Sequence, residues 1–277
     1  MEKDKIIGQQ LKKVRQQLGL TQGEMIGGVI HKSHYSKIER GLEGISADSL
    51  FRILFLHNVD VDQFFEKVRK NYRSSEDVNG EELENSMRQA FNNSDTEKAK
   101  ECLSQILKLD GHRILKYRSI ISVAMFENKL DELSLEFKEK VLAEFTDHSN
   151  WVENVDSLKL FANCLQVFTT EQLDVFMRQL LKQYSKSKIE SEKMVERVAI
   201  ICNNYLYYCY FFHVSGNNIN SALEYLNKLD NRNHFLMYKI CYKFYDALFK
   251  GRKEQAKEIK NFLVFCGFKD RVAAWKI

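Results

Sequence analysis

The sequence predicts an all-α protein in two parts, a unit of five short helices followed by a stack of antiparallel helix pairs. Three observations carry this expectation. The 277 residues contain no proline and only 12 glycines, so the residues that most strongly interrupt helices are absent or scarce. Apolar residues recur along most of the chain at three- and four-residue spacing, the period of one helix face. At roughly 150 residues per domain, the length suggests two domains. Hydrophobic residues make up 44% and charged residues 29%, which is enough to bury a core and argues against global disorder. The glycine count also argues against sheet-built enzymes that cradle phosphates on glycine-rich loops.

The elements of the first seventy residues follow in order. A first helix runs from about Lys5 to Leu18, with Ile6, Leu11, Val14 and Leu18 on one face, and Gly19 supplies the left-handed residue that ends it. Thr21 caps a second helix and, with Glu24 three residues on, forms a capping box. Met25 and Val29 face inward. The Gly27-Gly28 pair is expected to fray the end of this helix, by about 1 kcal/mol per glycine relative to alanine. A turn leads to a third helix, about Ser33 to Arg40, closed by Gly41. Ser46 caps a fourth helix carrying Leu50, Ile53, Leu54 and His57. Asp60 and Gln63 open a fifth, ending near Arg69. The net charge of +4 resides here: residues 1–41 hold eight of the 42 basic and four of the 38 acidic residues, and the remainder balances. Such asymmetry suggests an end that faces nucleic acid.

Two short helices joined by a tight turn within a basic five-helix unit form a helix-turn-helix pattern. The run Leu18-Gly19-Leu20-Thr21-Gln22, followed by Ser33-His34-Tyr35-Ser36-Lys37-Ile38-Glu39-Arg40-Gly41, resembles the phage-repressor-like helix-turn-helix family. The turn Gly28-Val29-Ile30-His31-Lys32-Ser33 resembles more narrowly the Rgg/GadR/MutR branch of transcription regulators. Independently of any family, the third helix is of a size to enter the major groove. The resemblance implies Lys32, Ser33, Ser36 and Lys37 as base-reading residues, and Thr21, Gln22, His34 and Arg40 as phosphate contacts. It also implies an internal ion pair between Arg15 and Glu39. His31 and His34 lie three apart with no further ligands nearby in sequence, so no metal is expected.

Residues 71–80 (NYRSSEDVNG) are polar and aperiodic and read as a linker between a 1–70 helix-turn-helix domain and an 81–277 helical repeat domain. Helices are expected from a cap at Ser94, from His112 to Asn128, and from Ser134 to near Phe145. Further helices run Asn154–Phe168, Thr170–Tyr184, Ser191 to about His213, Asn220–Leu229, Phe235–Lys250 and Arg252–Cys266. Ala222, Tyr225 and Leu229 recur 34 residues later as Ala256, Ile259 and Leu263, the tetratricopeptide period. The repeat domain is therefore a tetratricopeptide-like α-solenoid, whose concave face suits an extended peptide. In the longest helix Val195, Val198, Cys202, Tyr205, Cys209 and Phe212 form a core stripe, and Ile200, Asn204, Tyr208 and Phe211 point elsewhere. Asparagine amides can satisfy both groups of a peptide backbone, and aromatic neighbours can take its apolar side chains. Asn163, Asn203, Asn204, Tyr207, Tyr208, Phe211, Tyr238 and Arg197 are the candidate peptide-binding residues. The competing reading has the asparagines as inter-helix hydrogen bonds and the aromatics as core.

The expected function is that of a sequence-specific transcription regulator, a homodimer on near-palindromic double-stranded DNA. By resemblance, a short hydrophobic pheromone peptide controls it. The alternative is a DNA-binding regulator whose helical domain only dimerises or scaffolds partners. No H-E-x-x-H, glycine-rich phosphate loop or G-x-S-x-G occurs, so no catalytic residues and no cofactor are expected. The six cysteines lack C-x-x-C spacing and are expected as buried reduced thiols. Val198–Val214 is apolar but interrupted by Asn203, Asn204 and His213, so a buried helix is expected rather than a membrane span. With no apolar signal core at its start, the chain is expected in the cytoplasm.

Overall fold

The computed structural model describes residues 2–69, 71–147, 150–186, 191–273 and 275–277. These form two compact units, Met1–Leu83 and Glu84–Ile277. All regular structure among the described residues is helical.

The first unit contains α1 (Glu2–Gln17), α2 (Gln22–Ile26), α3 (Lys32–Glu39), α4 (Ala47–Leu56) and α5 (Val61–Arg69). Local cap chemistry sets their starts. The Thr21 hydroxyl accepts from the Glu24 amide while Glu24 accepts from the Thr21 amide. Ser46 caps α4, and the Asp60 carboxylate accepts from the Gln63 amide ahead of α5. Leu11, Met25, Tyr35, Ile38, Ile53, Leu54 and Phe64 fill the core. Gly27 does not fray α2, as the sequence suggested; it ends it. Gly27 is the left-handed C-cap residue, and a Cβ there would fall 2.2 Å from Leu56 Cδ2. Only glycine combines that backbone with that proximity.

α1 packs on α3, and Gly8 sets how closely. A Cβ on Gly8 would lie 1.8 Å from the Ile38 carbonyl oxygen, a backbone atom that cannot swing aside. Gly8→Ala is expected to cost about 3 kcal/mol or somewhat more, the upper range of overpacking effects. Urea unfolding of the variant checks this, and a midpoint like that of the unmodified chain would refute the close crossing.

Residues 75–80, expected within a linker, instead begin α6 (Ser75–Asn92). The Ser74 hydroxyl accepts from the Asp77 amide at 3.0 Å and starts the helix. Leu83, Met87 and Ala90 form a buried stripe along it. Serines that looked like linker composition are cap chemistry, and no proline stops the helix.

The second unit continues with α7 (Thr96–Ile106), α8 (Arg113–Phe126), α9 (Leu135–Thr146), α10 (Val155–Cys164), α11 (Thr170–Lys186), α12 (Glu192–Phe211), α13 (Ile219–Lys228), α14 (Leu236–Phe249) and α15 (Lys253–Phe265). The α7 cap is Asp95, whose carboxylate accepts from the Lys98 amide. Ser94, expected there, is the left-handed residue before it, with φ of 54°. Two layers result. In one, α8 packs on α10, α10 on α12 and α12 on α14; in the other, α7 backs α8, α11 and α13 back α12, and α15 backs α14. The 34-residue echo falls on the backing helices α13 and α15, where Ala222 and Ala256 are both fully buried and permit close packing. An aromatic cluster centres on Phe145, edge-on to Trp151 at 5.2 Å and to Phe168 at 5.4 Å. Five of the six cysteines are buried and free; Cys266, the residue that closes the C-terminal end of α15, is exposed, against expectation. Burial pushes the Cys209 thiol up to about 11.

Candidate functional site

Two groups of candidate residues lie in the two units. In the first, Glu39 is a buried carboxylate at the junction of the first three helices. Arg15 donates to both its oxygens, Nε to Oε1 at 2.6 Å and Nη2 to Oε2 at 3.1 Å. Gln22 Nε2 adds a third hydrogen bond at 2.9 Å, and Arg15 Nη1 donates to the Leu20 carbonyl at 2.9 Å. Burial alone would raise the Glu39 pKa; the hydrogen bonds from Arg15 and Gln22 outweigh it and hold the carboxyl below its ordinary range. The Gln22 side chain, expected on a phosphate, is thus committed to an interior partner.

This anchoring orients α3. Tyr35, Ile38 and Glu39 face the core, leaving Lys32, Ser33, Lys37 and Arg40 exposed and His34 and Ser36 partly so. The eight predicted DNA-contacting residues all keep an exposed or partly exposed side chain on or beside α3 and the start of α2, although the Gln22 amide nitrogen is engaged by Glu39. Arg40 Nε donates back to the Ser36 carbonyl at 3.2 Å. Lys32 has no ion-pair or hydrogen-bond partner among the described residues.

In the second unit the candidate peptide residues share the α8–α10–α12–α14 layer. Asn163 lies on α10, Arg197, Asn203, Asn204, Tyr207, Tyr208 and Phe211 on α12, and Tyr238 on α14. The six on α12 are all half-buried. Asn204 Nδ2 donates to the Ala162 carbonyl at 2.9 Å and bridges α12 to α10. Asn203 Nδ2 donates to Asn204 Oδ1 at 3.3 Å, while Asn203 Oδ1 is buried and meets no donor among the described residues. Tyr207 stacks obliquely on Phe211 at 4.7 Å. Phe212 does not complete the core stripe: it caps the helix end and is 52% exposed.

Sequence reasoning missed the residues that tie this face together. Arg118 on α8 donates to Asn163 Oδ1 at 2.9 Å and to Glu84 Oε1 at 2.6 Å, and Lys159 lies 3.5 Å from Glu84 Oε2. Tyr238 donates to Glu196 Oε1 at 3.1 Å. Arg197 has no hydrogen-bond or ion-pair partner among the described residues. Burial lowers its pKa, and the neighbouring Arg118 guanidinium lowers it further. Arginines inside otherwise apolar helices were the available signal. A second missed cluster is structural: buried Asp174 accepts from the Asn217 amide at 3.0 Å, from Asn218 Nδ2 at 3.1 Å and from the Asn217 side chain.

A cavity of about 740 Å³ opens elsewhere in this unit, lined by Leu181, Tyr184, Ser221, Tyr225, Lys228 and Phe235 among others. It contains none of the candidate peptide residues. Lys228 and Arg232 at its rim are already paired with Glu224 and Asp230. The α8–α10–α12–α14 layer instead carries the unpaired Arg197 guanidinium and the buried, orphaned Asn203 amide oxygen.

A helix-turn-helix family model matches residues 11–64. No curated protein matches the chain in sequence. Solved structures do. A candidate transcriptional regulator from Listeria monocytogenes EGD-e is 20% identical, with a TM-score of 0.75 over 98% of this chain and 94% of that one. The SHP pheromone receptor Rgg2 of Streptococcus dysgalactiae is 14% identical, with a TM-score of 0.68 over 97% of each chain. PrgX in its complex with cCF10 is 17% identical, with a TM-score of 0.66 over 97% of this chain and 89% of that one. Residues 11–64 are thus a helix-turn-helix domain, and the chain as a whole has the fold of Rgg2 and PrgX.

Proposed function

We propose that the chain is a sequence-specific DNA-binding transcription regulator, controlled by a short hydrophobic peptide bound on the α8–α10–α12–α14 face. It acts in the cytoplasm as a homodimer on a near-palindromic operator, by regulation and not by catalysis. No helix among the described residues is long and apolar enough to cross a membrane, and no cluster of three or more His, Cys, Asp or Glu that could hold a metal ion occurs among them.

The observation that carries the DNA reading is the division of α3 into an anchored inner side and an outer side of Lys32, Ser33, Ser36, Lys37 and Arg40. The start of α3 enters the major groove, where lysines reach guanine O6 and N7 and serines serve either base edge. Thr21, His34 and Arg40 flank it toward the phosphates, and two copies place two such helices about one DNA turn apart. On the helical unit, Asn163 Nδ2 and Arg197 are the polar groups left for a peptide, Asn203 sits behind them with its Oδ1 buried, and Tyr207, Tyr208, Phe211 and Tyr238 are apolar walls. Peptide binding biases a pre-existing equilibrium between dimer arrangements.

Selection from a random duplex pool tests the first half. An enriched sequence is expected, and Lys32→Ala should weaken binding to it by about 1–3 kcal/mol while relaxing preference at one position. A pool that enriches nothing refutes the reading. A second reading has one observation behind it: Asn163 and Asn204 already make inter-helix hydrogen bonds, as they would if this unit only dimerised or scaffolded partners. Calorimetric titration with short apolar peptides separates the two, since a pure scaffold shows no saturable heat.

A further inference from the structure

The outward side of α3 carries a built-in competitor for DNA. Glu43 lies just beyond the C-terminal end of α3, and its two carboxylate oxygens engage two different side chains of that helix. Lys37 Nζ donates to Oε1 at 2.6 Å, and His34 Nε2 lies 3.3 Å from Oε2. Of the other acids on α2 and α3, Glu39 is spent inside the domain on Arg15 and Gln22, and Glu24 is held by the Thr21 amide at the start of α2. Glu43 is therefore the acid that engages Lys37 and His34 on the outer side of α3, and it is itself 40% exposed at the side chain. The contact does not explain the fold, because ion pairs this exposed add little to stability. Its consequence falls on the ligand. A Lys37 ammonium neutralised by the carboxylate attracts DNA less strongly, His34 Nε2 is occupied by it, and a carboxylate left beside the phosphates repels them.

We propose that Glu43 is an electrostatic brake on DNA binding: it holds Lys37 and His34 in the free protein and must release them to the duplex. This rests on the DNA-binding reading above. Binding to arbitrary sequence is almost wholly electrostatic, whereas an operator adds base contacts that offset the release. The release costs the same free energy on either kind of site, so the brake lowers affinity for any duplex and leaves discrimination to the base contacts.

The test is fluorescence anisotropy with a labelled mixed-sequence duplex, from about 50 to about 200 mM salt. Glu43→Gln keeps the side-chain shape and is expected to tighten binding roughly five- to ten-fold at the lower salt. It should also steepen the slope of log affinity against log salt by about 0.9, the value for one further freed cation. Glu66→Gln, which removes an exposed acid paired with Arg69 on α5, loses the same net charge away from α3 and should change affinity by less than two-fold and leave the salt slope unchanged. In a Lys37→Ala background most of the gain from Glu43→Gln should vanish. If Glu43→Gln matches the unmodified protein, or Glu66→Gln matches Glu43→Gln, the brake is refuted while DNA binding stands. If the unmodified protein binds no duplex at all, the DNA reading fails and the brake with it.

Discussion

Arg15→Ala is expected to destabilise the helix-turn-helix domain by about 3 kcal/mol at neutral pH. Arg15 supplies two of the three hydrogen bonds at Glu39 from other side chains. Removing it leaves a carboxylate, 4% exposed at the side chain, with no countercharge. Arg15 itself keeps 16% exposure, so water softens the loss and the lower end of the range for broken buried pairs applies. The pH dependence gives the prediction its edge. In the unmodified protein the folded Glu39 pKa lies below the ordinary carboxylate value. Its contribution is then complete above the unfolded pKa of about 4.3 and is lost as pH falls through the lower folded value. In Arg15→Ala burial dominates, so the folded pKa rises above the unfolded one and the sign reverses: the variant recovers stability as pH falls and Glu39 protonates. The gap between the two proteins should therefore be widest near pH 7 and shrink toward about pH 4. Urea unfolding at both pH values measures it. A gap that is the same at both would mean that Arg15 acts by packing its stem rather than through its charge.

What could be read from the sequence divides along contact range. Thr21 with Glu24, Ser46, Asp60 and Ser134 were legible as helix starts because a cap involves atoms two or three residues apart. Periodicity exposed the layered helices for the same reason, since one face is written in i, i+3 and i+4. Errors arose where local composition suits two roles. Ser74 to Gly80 looked like linker, yet one serine there caps α6. Gly27 looked like a weak helical residue, yet its proximity to Leu56 makes it a stop. The candidate sites were half legible. Asn163 and Asn204 stand out as amides in apolar helices, but their partners Arg118 and Ala162 lie 45 and 42 residues away. Nothing in a single sequence pairs them. The same holds for the close crossing at Gly8 and for Asp174, whose partners Asn217 and Asn218 are 43 and 44 residues distant.

Arg197→Met is expected to raise the stability of the helical unit while weakening its binding of peptide at least ten-fold. Arg197 is a half-buried guanidinium beside a second guanidinium, with no hydrogen-bond or ion-pair partner among the described residues. The two acids that would favour its charge are engaged elsewhere, Glu84 with Arg118 and Lys159 and Glu196 with Tyr238. A desolvated cation so placed costs stability, and an apolar side chain of similar length removes the cost. A gain of about 1 kcal/mol corresponds to a rise in Tm of about 2–4 °C for a unit of this size. Such a cost persists where a ligand repays it, as at binding sites that trade stability for function. If the peptide brings an acceptor or an anionic terminus to this point, losing the guanidinium should weaken its binding at least ten-fold, the usual consequence of truncating one partner of a half-buried charged contact. Thermal unfolding and calorimetric titration with a peptide selected against the unmodified protein read the two effects separately. A lower Tm would mark Arg197 as part of the architecture, and unchanged peptide affinity would place the peptide elsewhere on the layer. Only higher stability combined with lost affinity assigns the residue to the ligand.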